Sequence, residues 1–263
     1  MRFTIITPCR NAVAHIDACV DSIMAQLGDG VELEYIVLDA CSTDGTVERL
    51  RARGGAVTRL ISEADRGPAD AINRGLSLAT GDVVGWLNAD DEYLPGTLSR
   101  VGAFFNTHPE AVFCFGHCPI IDADGKEIRK PITRFKELFF PLHSRFTFQC
   151  INYISQPAFF FRREAALAAG PLRIDLTAAW DYEFFLRLFR QGHGGILPRP
   201  PLANFRWQAT SISGQHFRRQ FDEEFRAARA DAGTWSLQTL IHWFVKTGIV
   251  AIYSLMARRR SPS

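Results

Sequence analysis

No G-x-G-x-x-G and no G-x-x-x-x-G-K-[ST] run occurs in the 263 residues. That argues against a dinucleotide enzyme and against a P-loop nucleoside triphosphatase. The six cysteines (9, 19, 41, 114, 118 and 150) form no C-x-x-C pair. Cys114 and Cys118 have no partnering His/Cys pair at zinc-site spacing, so reduced, mostly buried thiols in a cytosolic protein are expected rather than a thiolate metal centre. The net charge is only +2, and no basic stripe interleaved with aromatics precedes the C-terminus, which leaves no footprint for nucleic acid. There is no N-x-[ST] sequon, and Phe3-Thr4-Ile5-Ile6 is too short for a signal peptide, so a cytoplasmic location is expected. Internal repeats and low-complexity tracts are missing as well, and no obvious linker precedes about residue 215.

What is present is a globular composition, 47% apolar and 22% charged, with length for one large α/β domain and an appendage. The first half alternates in period. Residues 2–7 and 34–39 are short apolar runs suited to buried strands, and between them Val13, Ile16, Val20, Ile23 and Leu27 recur at helical spacing until Gly28-Asp29-Gly30. Ser42-Thr43-Asp44-Gly45 reads as a turn and cap, 57–61 as a third strand, and 68–78 as a helix with Pro68 in its first turn. A further helix is expected over 95–105. This alternation predicts a parallel, doubly wound sheet flanked by helices. Later, 111–117 and 158–161 read as strands, Asp122 to Lys126 as a hairpin turn, and 163–169 and 181–190 as helices; the Phe-rich stretch 135–153 has little period.

The most informative run is Gly81-Asp82-Val83-Val84-Gly85-Trp86-Leu87-Asn88-Ala89-Asp90-Asp91, an apolar strand ending in two adjacent carboxylates. Such a pair repels itself and calls for a cation or polar ligand, although a solvated strand-to-helix turn accounts for it equally well. Three other polar clusters also follow strands: Thr7-Pro8-Cys9-Arg10-Asn11, Asp39, and Asp65-Arg66-Gly67. In a parallel sheet all four converge on the edge where ligands bind. Carboxylates, arginines and small turn residues there suit a nucleotide. His117, His143 and His193 are scattered and read as structural or solvated, and Asp122 and Asp124 as turn residues.

Several ordered motifs resemble family 2 glycosyltransferases. They are Ile5-Ile6-Thr7-Pro8 with Asn11, Asp39-Ala40-Cys41-Ser42-Thr43-Asp44-Gly45-Thr46, Ser62 through Gly75, Ala79-Thr80-Gly81-Asp82 and Leu87-Asn88-Ala89-Asp90-Asp91. The similarity resumes at Gln156 to Arg163 and at Ala178-Ala179-Trp180-Asp181-Tyr182-Glu183. The resemblance implies an inverting enzyme of the GT-A fold with a nucleotide-sugar donor and a Mn²⁺ or Mg²⁺ cofactor. By position, Asp39 is expected at the donor base, and the loop carrying Thr7, Pro8, Arg10 and Asn11 around the same end. Arg66 and Asn73 are expected to support that pocket. Asn88 stands where the family often has Asp; Asp90 is expected beside ribose and metal, and Asp91 as the metal ligand. Ala40-Cys41 follow Asp39 where many members have Asp-Asp or Asp-Gly. Asp181 corresponds to the catalytic base, preceded by Trp180 where Glu is frequent, with Glu183 as the fallback acid. Arg206-Trp207 and Ser211-Ile212-Ser213 resemble a segment that closes over donor and acceptor, with Arg206 meeting the diphosphate.

The expected organisation is a GT-A domain over 1–215, divided into a nucleotide-sugar half (1–110) and an acceptor half (111–215), followed by a helical segment over 216–263. Residues 235–256 are mostly apolar, are interrupted by Gln238, His242 and Lys246, and lead to Arg258-Arg259-Arg260. A helix lying on an anionic membrane at its cytosolic face fits this pattern, as does a helix packed on the catalytic domain or on a partner. Membrane contact through 235–260 suits a lipid-linked sugar acceptor, with 135–153 on the acceptor side. The function expected is sugar transfer in bacterial surface polysaccharide or glycolipid synthesis; the alternative is a non-catalytic sugar-nucleotide sensor or scaffold on the same fold. Nothing in the sequence sets the oligomeric state.

Overall fold

The computed structural model describes residues 1–28, 30–208 and 217–258, the last eight by backbone alone. Asp29, Ser211-Ile212-Ser213 and Arg259-Arg260 lie outside the described residues.

The first half alternates as the periodicity predicts: β1 (Arg2–Cys9), α1 (Ile16–Met24), β2 (Glu32–Asp39), α2 (Thr46–Ala52), β3 (Arg59–Ser62), α3 (Pro68–Leu78) and β4 (Val83–Trp86). After β5 (Glu92–Tyr93) come α4 (Thr97–Thr107), β6 (Phe113–Gly116), β7 (Ile120–Ile121), β8 (Glu127–Ile128), α5 (Lys130–Glu137) and α6 (Arg145–Cys150). The order continues with β9 (Phe159–Arg162), α7 (Arg163–Ala169), α8 (Trp180–Gln191), β10 (Gly194–Leu197), β11 (Ala203–Arg206), α9 (Phe217–Ala232) and α10 (Leu237–Arg258). The main sheet has the order β10-β6-β9-β4-β1-β2-β3. It is parallel except for β9, which runs against β4 and β6. A smaller sheet, β5-β11-β7-β8, stands beside it.

Successive strand residues feed opposite faces of the main sheet. Ile5, Tyr35 and Val83 join a core with α1 and α4, while Ile6, Ile36 and Val84 join one with α3, α7 and α8. Burial on both faces is what the continuous apolar runs of β1 and β4 require. Cys9 pairs with Asp39 and Asp39 with Ser62, so the strands end level with one another. That brings the loops after β1, β2, β3 and β4 to one edge.

Element limits shift for local reasons. The third strand starts at Arg59 rather than 57. The helix expected from 95 starts at Thr97, because Gly96 adopts φ 74° and turns the chain before it. The Phe-rich stretch resolves into the end of α5, a single 3₁₀ turn at Phe140–Leu142, and α6, where the Ser144 hydroxyl accepts from Thr147 N at 3.1 Å. Its phenylalanines divide by face: Phe140 and Phe148 are buried, whereas Phe135 and Phe146 are exposed.

The helical segment from Phe217 onward packs against the α/β body. Ala227 and Ala228 of α9 enter the core with α8 residues, and α10 rests on α6, where Gln238 donates to Gln149 Oε1 at 3.2 Å and His242 Nδ1 meets Gln149 O at 2.8 Å. Among the described residues no helix is long and apolar enough to cross a membrane.

Gly81, just ahead of β4, sits against the backbone of β1. A Cβ there falls 2.6 Å from both Phe3 C and Thr4 N, atoms that cannot move without disturbing the sheet. Gly81→Ala is therefore expected to lower stability by about 1–3 kcal/mol, measured as a reduced urea midpoint with an unchanged m-value.

Candidate active site

The loops after β1 and β2 are stitched together. Asp39 closes β2 with 1% exposure. Its carboxylate accepts from Ser42 N at 3.0 Å, from Ser62 Oγ at 2.6 Å, from the Ser42 hydroxyl, and from the Cys9 thiol at 3.7 Å. Asn11, at φ 51°, donates its N–H to Ser42 Oγ at 2.7 Å and accepts from Thr43 N at 3.0 Å. Val13 N adds a bond to Asp44 Oδ2 at 3.0 Å. Arg10 and Asn11 are exposed on this rim. Arg66 is exposed across from it on the loop after β3, paired with Asp70 at 2.9 Å.

The other residues expected around the donor are turned inward. Thr7 and Pro8 are buried in β1, with Thr7 Oγ1 accepting from Tyr35 OH at 3.1 Å. Asn73 donates to Leu172 O at 2.9 Å and accepts from Leu172 N at 2.7 Å, which fixes the chain after α7.

Beyond β4 the chain makes a tight turn, with Asp91 N donating to Asn88 O at 3.0 Å. Asp91 has no solvent exposure. Its Oδ1 accepts from Arg206 N at 2.8 Å and its Oδ2 from Asn88 Nδ2 at 3.2 Å. Burial, with the neighbouring Asp90 charge adding to it, pushes the Asp91 carboxyl well above the usual range. Asp90 is partly exposed. Burial raises it too, opposed by the backbone N–H, by His15 and by Gln208, whose Nε2 donates to Oδ2 at 3.1 Å. Among the described residues no other side-chain hydrogen bond reaches the Asp90 carboxylate.

Arg206, expected at a diphosphate, is instead enclosed by protein at 5% exposure. It pairs with Glu92 and donates to Asp90 O at 3.0 Å, Asp122 O at 2.7 Å and Ala123 O at 2.9 Å. It thereby staples the Asp90-Asp91 turn to the β7–β8 hairpin. Gln156, the first residue of the Gln156 to Arg163 motif, donates to Trp86 O at 2.6 Å and accepts from Asn88 Nδ2 at 3.3 Å.

Asp181 lies in the first turn of α8 and accepts from Tyr182 N at 2.7 Å. Burial raises it to about 6, against the pull of that N–H and of Lys136. Lys136 of α5, itself lowered by burial, donates to Ile154 O and Ser155 Oγ, both at 3.3 Å. Glu224 of α9 is raised by burial to about 7 and accepts from Asn152 Nδ2 at 3.0 Å and Gln220 Nε2 at 3.1 Å. Neither Lys136 nor Glu224 carries a motif. The hint at Glu224 is the acidic run Asp222-Glu223-Glu224 just ahead of Ala227, on a helix that has to be buried somewhere. Glu183, the fallback acid, pairs with Arg187 at 2.9 Å. The Asp181 group and the Asp90 turn meet through the Ser155-Gln156 segment and through Trp86, whose ring centroid is 6.0 Å from that of Trp180. Among the described residues no group of three or more His, Cys, Asp or Glu side chains forms a metal cage.

The model of glycosyl transferase family 2 matches residues 4–168. The chain belongs to this family. It is 33% identical over 193 residues to a PGL/p-HBAD biosynthesis glycosyltransferase of Mycobacterium bovis, a match covering 71% of this chain and 69% of that one. With the amylovoran biosynthesis glycosyltransferase AmsB of Erwinia amylovora the identity is 26% over 229 residues, 81% and 72% of the two chains. Among solved structures, residues 1–349 of S. aureus TarS with UDP-GlcNAc superpose with a TM-score of 0.70 at 18% identity, covering 88% of this chain and 66% of that one. The mannosyltransferase PcManGT of Pyrobaculum calidifontis with GDP-Man and Mn²⁺ gives 0.65 at 20% identity, covering 97% and 78%. This chain spans 40% of the longer TarS chain. The doubly wound architecture is thus the GT-A fold expected from the motifs, and the family makes the protein a glycosyltransferase.

The raised carboxyls set a pH dependence. Asp181 and Glu224 bind protons more tightly folded than unfolded, so their contribution is greatest below about pH 4 and is lost as pH rises to about 6 and 7. Asp181→Asn and Glu224→Gln are each expected to gain stability relative to the native chain at pH 8, and less so at pH 5, in urea titrations.

Proposed function

We propose that the protein is an inverting glycosyltransferase that moves a sugar from a nucleoside-diphosphate sugar to an acceptor hydroxyl by metal-assisted single displacement. The observation that carries this reading is the separation of two acidic centres at one sheet edge: a partly exposed carboxylate at Asp90 and a carboxyl at Asp181 raised to about 6. The nucleotide sits on the rim formed by Arg10, Asn11 and Arg66 above Asp39, with Thr7, Pro8 and Asn73 shaping that rim from behind.

For the cation we favour Asp90 over Asp91. Both Asp91 oxygens accept protein hydrogen bonds, and its burial leaves no path to a ligand. Asp90 offers a hard oxygen donor in a partly desolvated place, which fits Mg²⁺ or Mn²⁺ held by one carboxylate together with substrate phosphates. Bound there, the ion offsets charge on the departing diphosphate. Asn88 holds Asp91 and Gln156 in register, and Arg206 fixes the backbone of the turn that presents Asp90.

Asp181 takes the proton from the acceptor hydroxyl. A base with a value near 6 is ionised at neutral pH yet still competent to accept a proton, so turnover is expected to fall as pH drops below about 6.

The acceptor we favour is a lipid-linked sugar at the cytosolic face of a bacterial membrane, in surface polysaccharide or glycolipid synthesis, in line with the PGL/p-HBAD and amylovoran biosynthesis glycosyltransferases that the chain resembles. Residues 233–263 contain no acid, and Trp235, Leu240, Trp243 and Phe244 stand exposed there, as do Leu138, Leu142 and Phe146 on the neighbouring α5–α6 segment. Exposed aromatics with positive charge suit peripheral contact with anionic lipid.

Nucleotide release from UDP-, GDP- and dTDP-sugars with Mn²⁺ tests the reading. Asp181→Asn is expected to lower kcat by roughly 10²–10⁴-fold with donor KM unchanged, while Asp90→Ala weakens nucleoside diphosphate binding in the presence of Mn²⁺. Binding without turnover in the native chain, and an Asp181→Asn variant indistinguishable from it, would favour a sensor instead.

A further inference from the structure

The start of α8 has no cap of its own. Ala179 stands at the cap position and offers no side-chain acceptor, and the amides that lead into the helix, those of residues 177–179, are met instead by a side chain from α9. Glu223, with a side chain 2% exposed, accepts from Thr177 N at 3.0 Å, Ala178 N at 2.8 Å and Ala179 N at 3.2 Å through one oxygen, Oε2. Its Oε1 accepts from Arg219 Nε at 3.0 Å. Three successive peptide N–H groups converging on one anion form a nest, filled here by a side chain from 44 residues downstream of the last of them. Burial by itself raises the Glu223 carboxyl, but these donors outweigh it and hold it below its usual value.

Asp181 follows the clamped segment by two residues. We propose that Glu223 is a positioning residue for Asp181: by fixing residues 177–179 it sets the first turn of α8 and so aims the Asp181 carboxyl at the crevice. The role rests on the reading of Asp181 as the base. It makes α9 a working part of the transfer site, not merely the connection to α10. The next residue, Glu224, supports this, because it sits in the same charge cluster as Asp181 and Lys136. One turn of α9 thus touches both the backbone that carries Asp181 and the charges that face it.

Hydrogen exchange on the full chain, followed by mass spectrometry, tests the clamp. In Glu223→Ala the amides of 177–179 are expected to exchange at least roughly tenfold faster, the loss that goes with removing a charged acceptor, while β1 peptides stay as they are. Glu223→Gln, which keeps one acceptor oxygen, falls between, and it decides the matter if the alanine variant does not fold. The second readout is the Asp181 carboxyl titration by ¹³C NMR, with its resonance assigned through Asp181→Asn. Its midpoint is expected to move from about 6 toward the ordinary carboxylate range in both Glu223 variants, with Lys136 and Glu224, the charged groups facing it, left in place. On a donor that turns over, kcat falls with donor KM unchanged. Faster exchange with an unmoved Asp181 midpoint overturns the proposal, as does unchanged exchange. Failure of the base assignment is separate: it appears as native turnover in Asp181→Asn, whatever the exchange data give.

Discussion

Two adjacent carboxylates at the end of β4 have to be kept in a place with little water. Left alone they would repel each other or take up protons, and the surrounding architecture answers that constraint. Asp91 is withdrawn completely and held by the Arg206 N–H and Asn88. This leaves Asp90, one residue before it, partly exposed. Arg206 then spans the turn, Glu92 and the β7–β8 hairpin, tying the small sheet to the pair. One acid is enclosed by the fold, and the other keeps a partly exposed carboxylate.

The same division recurs around the site. Asp39 is enclosed by Ser42, Ser62 and Cys9 and shapes the rim on which Arg10 and Asn11 are exposed. Glu223 is enclosed by peptide N–H groups and shapes the turn that carries Asp181. In each case a buried carboxylate with several donors holds the backbone next to a more exposed polar group. Buried anions are stable only with such donors, which is why the polar motifs of this family cannot be read as a roll of ligand contacts.

The alternation of strands and helices through β4 was legible because β1, β2 and β4 are apolar on both faces and α1 and α3 are amphipathic. The four polar clusters at strand ends followed from a parallel sheet. The strands β5, β7, β8 and β11 have two to four residues, too few for a period; the hairpin of β7 and β8 was visible through its turn, and β5 and β11 were not. The division of labour between Asp90 and Asp91 was hidden for a different reason. It depends on a backbone N–H at Arg206, 115 residues away from Asp91, and nothing local reveals which of two adjacent acids meets it. Asn73 is similar: its partner Leu172 is 99 residues distant. Helix α9 read as part of an appendage because its role is expressed through contacts with residues 152 and 177–179.

The account stands on Asp90, not Asp91, meeting the cation and diphosphate at the sheet edge. A crystal structure of the full chain with Mn²⁺ and the nucleoside diphosphate released from its preferred donor tests that most directly. The expected result is an ion bonded to an Asp90 carboxylate oxygen and to the phosphates, with Asp91 still accepting from Arg206 N. An ion on Asp91 with the Arg206 bond broken, or a diphosphate bound away from this edge, would contradict it.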